Sequence, residues 1–105
     1  MSRKILISYG FGAGWVSWAR GTKEQKRFML EYKPFIEALE NDLPLDEAQF
    51  LRDFSEKFPD AEEPYMGGVH QLEVEEILDH EAVLVKDYDG NESFSTRSEE
   101  DYEWL

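Results

Sequence analysis

The spacing of apolar residues changes partway along this chain, and that change limits the folds open to it. Phe50, Leu51, Phe54 and Phe58 recur at helical spacing, whereas Leu72 and Val74 alternate with Glu73 and Glu75. A period of 3.6 residues lays apolar groups along one face of a helix, and a period of two lays them along one face of a strand. The turnover falls in residues 60–68, DAEEPYMGG, an acidic stretch that contains Pro64 and ends in Gly67 and Gly68. Proline and glycine clusters mark loops, so this segment reads as the crossing from a helical part to a β part.

Capping signals place the helices. Thr22 followed by Gln25 makes a capping box ahead of Phe28, Leu30 and Tyr32, and Pro34 interrupts the pattern, which predicts one helix near 23–32 and a second near 34–41 carrying Phe35, Ile36 and Leu39. Asp46 with Gln49 is a second box, opening a third helix that Pro59 closes. Residues 3–9, RKILISY, form a β-rich run before a glycine loop, and Val83–Val85 and Ser93–Ser95 flank Asp89-Gly90, the dipeptide a tight hairpin favours. The reading is a single α+β domain over residues 1–97, of order β-α-α-α-β-β-β. It has a small, mainly antiparallel sheet with helices packed on one face, and an acidic tail at 98–105.

With 105 residues and 41% apolar content the chain can fill one core. It has no cysteine, so neither disulfides nor thiolate metal sites support the fold. Only Ile5, Leu6 and Ile7 form a continuous apolar run near Met1, too short for a signal peptide or a membrane span, and a soluble protein without membrane contact is expected.

The formal charge is −13, a field that repels nucleic acid and favours a basic partner. It is unevenly spread, since residues 1–27 carry six basic side chains and one acidic. An anion site is therefore expected near the N-terminus, in Tyr9-Gly-Phe-Gly-Ala-Gly-Trp15, where Gly10, Gly12 and Gly14 could aim backbone N–H groups at an anion and Trp15, Trp18 and Arg20 could stack on or pair with it. The spacing fits neither a dinucleotide fingerprint nor a P-loop, and a purely structural turn is the competing reading.

The carboxylates of Glu73, Glu75, Glu76, Asp79 and Glu81, and of Asp87, Asp89 and Glu92, read as a solvated face or as a mimic of phosphate charge able to dock on a basic protein. His70 and His80 are expected to be exposed or structurally paired rather than metal ligands. No cofactor and no catalytic residue is legible, and a non-enzymatic protein is expected.

The blocks ILISYGFGAGWVSW, YMGGVHQLEVEEI and VKDYDGNESF resemble a family of small proteins, of no assigned activity, encoded by bacteriophages and prophages. The resemblance covers most of residues 4–95 and implies an accessory protein acting in the host cytoplasm, without implying a reaction. It draws attention to Tyr65, Gly67 and Gly68 beside the first loop. Two functions follow as expectations. One is binding, and so blocking, a basic host protein through the acidic surface at Glu73, Glu75 and Asp79. The other is capture of a small nucleotide-like anion by the glycine-tryptophan loop. The sequence is compatible with a homodimer.

Overall fold

The computed structural model describes residues 2–10, 14–19, 21–64, 66–78, 82–88 and 91–97. The order is β1 (Ser2–Ser8), α1 (Lys23–Leu30), α2 (Lys33–Glu40), α3 (Glu47–Lys57), a 3₁₀ turn (Val69–Gln71), β2 (Leu72–Leu78), β3 (Ala82–Tyr88) and β4 (Asn91–Arg97). This is a small α+β fold in the expected order.

α1 and α3 start where their caps direct. The Thr22 hydroxyl accepts from the Gln25 N–H, and the Gln25 side chain accepts in return from the Thr22 N–H, closing the box. Asp46 caps α3 by accepting from the Gln49 N–H at 3.0 Å. Pro34 sits in the first turn of α2, where its missing N–H is harmless, so α2 begins one residue earlier than the proline alone suggests. At the other end of α2, Asp42 takes a left-handed φ of 54° while Leu43 donates back to the Ala38 carbonyl at 2.8 Å, a Schellman stop.

The strands pair as two antiparallel ladders rather than one continuous sheet, β1 with β2 and β3 with β4. In the first, Leu6 lies opposite Val74 and Ser8 opposite Leu72; in the second, Val85 faces Phe94 and Tyr88 faces Asn91. The Tyr88–Asn91 pairing leaves a two-residue connection, as the Asp89-Gly90 reading requires. Asp89, Gly90 and the 98–105 tail themselves lie outside the described residues.

Ile5, Leu6 and Ile7 are all fully buried. Consecutive strand residues point to opposite faces, so β1 is covered on both sides and forms the centre of the core. Phe35 and Phe50 stack with ring centroids 5.4 Å apart, and Phe28 and Phe54 extend the cluster. Arg3 pairs with Glu31 after α1 at 3.0 Å and Lys4 with Glu40 at the end of α2 at 2.6 Å, which ties the start of β1 to both helices. Among the described residues no helix is long and apolar enough to cross a membrane.

Candidate functional site

Trp15 and Ser17, in the described part of the glycine-tryptophan segment, are held by a carboxylate supplied from β4. Glu92, the second residue of β4, is 1% exposed. One of its oxygens accepts from the Ser8 N–H at 2.9 Å. The other accepts from the Trp15 N–H at 2.8 Å, the Ser17 N–H at 2.7 Å and the Ser17 hydroxyl at 2.6 Å. A buried carboxylate is costly unless its lone pairs are filled, and here four donors fill them without any of the four being a cation.

Ladder geometry explains why Ser8 takes part. Tyr9 donates to the Gln71 carbonyl, so in this antiparallel register the odd-numbered residues of β1 bond toward β2 and the even-numbered ones point the other way. The N–H of Ser8 therefore aims at the side where β4 lies, and a side-chain carboxylate takes the place that a neighbouring strand's carbonyl would have in a single sheet.

The expected loop residues occupy quite different environments. Trp15 is fully buried, its indole N–H donates to the Met29 carbonyl at 3.0 Å, and its ring lies 5.2 Å from Phe50 and 6.0 Å from Phe35. It is a core residue, not a platform for a ligand, because an indole packed among phenyl rings and closed off from solvent has no face left to offer. Trp18 is half-buried beside Gly14, where an added Cβ would come within 2.7 Å of its ring. Gly10 abuts the Gln71 side chain. Gly68 is buried against the backbone of Gly14, and a Cβ there would lie 2.3 Å from the Gly14 carbonyl oxygen, whereas Gly67 is exposed. The sequence brings these two glycine segments together for backbone packing. Gly12, Arg20, Tyr65 and Asp79 lie outside the described residues.

Tyr9 is half-buried at the end of β1. Burial first, then its hydrogen bond to Glu75 and the charges of Glu75 and Glu73, push its phenol up to about 12. The basic N-terminal third is partly neutralised as well, since Arg3 and Lys4 are ion-paired and Arg27 lies 3.5 Å from Glu31.

The acidic residues of β2 divide. Glu73 and Glu76 are exposed, whereas Glu75 is half-buried against Tyr9. Between β2 and the end of α2 runs a groove of about 430 Å³, lined by Leu39, Leu72 and Val74, with Lys4, Glu40, Glu73 and Glu76 around them. Glu92 belongs to no solvated acidic face; this is a correction to the sequence reading. It lies on the same side of β4 as Phe94, an inward position, and that parity was the one local sign of its burial. Ser8 and Ser17, which complete the cradle, carried no sign at all.

His70 is exposed and 4.0 Å from Glu47, and His80 lies outside the described residues. Among the described residues no group of three His, Cys, Asp or Glu side chains is placed to hold a metal ion. Set against models of known protein families, against curated proteins and against solved structures, the chain matches none of them.

Proposed function

We propose that this protein acts by binding, without catalysis, and that it engages a partner with a basic surface through the carboxylates of β2 and α2. Following the resemblance to bacteriophage proteins, the partner belongs to the host cell and is blocked by the contact. The observation that carries this reading is the division of labour among the acidic groups. Glu37, Glu73 and Glu76 stand in solvent on α2 and β2, as does Glu40 beside Lys4, while Trp15 is closed off in the core and the N–H groups of Trp15 and Ser17 already donate to Glu92. Fixed like charges on regular elements steer an oppositely charged protein into contact and keep anionic competitors away.

The test is affinity purification from host cells, followed by titration of the purified partner. Binding is expected to weaken steeply as salt is raised, because exposed charges are screened beyond roughly 8 Å at physiological ionic strength. The double variant Glu73→Lys with Glu76→Lys should abolish it, and Trp18→Ala should leave it intact. Binding that survives the charge reversal would sink the proposal. So would a small anion that quenches tryptophan fluorescence in the parent protein and not in Trp18→Ala.

A further inference from the structure

We infer that the outer edge of β2 is the docking element, and that it accepts an extended segment of the partner as an added strand, with cationic side chains alternating with aliphatic ones. The inference rests on the acidic-surface reading above and adds the geometry of the contact.

The ladder parity that aims Ser8 away from β2 also fixes the outer edge of β2. Tyr9 bonds to Gln71, so Glu73, Glu75 and Ile77 bond toward β1, and the N–H and C=O groups of Val74 and Glu76 point outward. Among the described residues these outward groups make no backbone hydrogen bond. Exposed strand edges are usually guarded by proline, lysine, a bulge or a covering element. The segment LEVEEIL has no proline and no lysine, and its register with β1 runs without a bulge from Leu72 to Leu78.

Its guard is negative charge, and that selects the occupant. Two copies of this edge paired antiparallel about Val74 would set Glu73 of each chain opposite Glu75 of the other, and like charges on paired strands repel. A cationic strand reverses the sign. On one face of such a strand, lysine or arginine meets the exposed Glu73. On the other, aliphatic side chains enter the groove formed by Leu39, Leu72 and Val74, and a further cation reaches Glu76 at its rim, beside the Lys4–Glu40 pair. Backbone bonds supply affinity in this mode, and the alternating side chains supply selectivity.

A short peptide of alternating lysine and valine is the probe, compared with the same peptide N-methylated at every backbone amide, which keeps the charge and loses the donors. Titration at low salt, followed by amide NMR and hydrogen exchange, should show the unmodified peptide binding about tenfold or more tighter. The Val74 and Glu76 amide protons should gain protection on binding. Val74→Pro removes an outward N–H that the β1 ladder does not use, so it should keep the fold, checked by circular dichroism, and lose the preference for the unmodified peptide. Equal binding of both peptides, with no new protection at Val74 and Glu76, would overturn the edge inference and leave the acidic-surface reading standing. Failure of both to bind even at low salt would overturn that reading too. Protection of Val74 that depends on protein concentration without peptide would overturn the inference by assigning the edge to a second copy instead.

Discussion

Replacing Glu92 by glutamine keeps its shape and removes its charge, so it isolates what the carboxylate does. Donors approach both of its oxygens, and in either orientation the new NH₂ group must face at least one of them. Glu92→Gln is expected to cost about 2–5 kcal/mol, because charge-assisted bonds are lost and buried N–H groups are left unpaired. Urea unfolding followed by tryptophan fluorescence measures it, and a loss below about 0.5 kcal/mol, the scale of an ordinary surface change, would show that the cradle is not needed for stability. Tyr9 gives a second residue-scale test. Its phenol ionises near 10 in an unfolded chain and near 12 in the folded one. Between those values the unfolded state has lost a proton that the folded state keeps, so its contribution to stability is full below pH 10 and is lost as pH rises toward 12. Tyr32, raised by burial and by its bond to Asp53, acts in the same direction. Denaturation midpoints across that range should fall with pH, and Tyr9→Phe should flatten the fall. An unchanged slope in that variant would assign the effect elsewhere.

Among the elements, two positions test backbone geometry with opposite expected signs. Asp42 holds a left-handed φ at the end of α2, where glycine carries no Cβ penalty, so Asp42→Gly should raise stability by about 0.5–1 kcal/mol. Gly68→Ala should lower it severely, since the added carbon meets a backbone carbonyl that cannot rotate aside. Thermal unfolding of the two variants decides both, and an unaltered midpoint in Gly68→Ala would mean the two glycine segments can part at no cost. These elements also mark what the sequence made legible. Thr22 with Gln25 and Asp46 with Gln49 located the starts of α1 and α3, and the dipeptide after Tyr88 located the hairpin, because caps and turns are decided within a few residues. The two ladders, the burial of Trp15 and the cradle were not legible. Each depends on which segments meet across the fold, and Glu92 meets Ser8 across 84 residues with only its inward parity to announce it. Acidic composition hid it further, since one carboxylate among 24 acidic residues does not stand out.

For the molecule as a whole, the balance of charge sets both stability and association. A chain of net charge −13 repels itself when compact, and the ion pairs at Arg3 and Lys4 relieve only part of that at its surface. Raising ionic strength from near zero to roughly 0.15 M should therefore raise the thermal midpoint by a few degrees while weakening the complex with a basic partner. Calorimetry and binding titration in the same buffers separate the two, and a midpoint that falls with salt would show attractive pairs outweighing the repulsion.

The Glu92 cradle has a consequence for how the chain is made. A ribosome adds roughly 5–20 residues per second, so about 4–15 s pass between synthesis of Ser17 and of Glu92, 75 positions later. Throughout that interval the N–H groups of Trp15 and Ser17 have only water to bond with, and Trp15 cannot enter the core without stranding them. The nascent helices can form as they emerge, yet the centre of the molecule closes only when β4 arrives. Closure of the core is therefore bound to the arrival of β4, and a chain stalled before Glu92 would present its aromatic interior to chaperones and proteases.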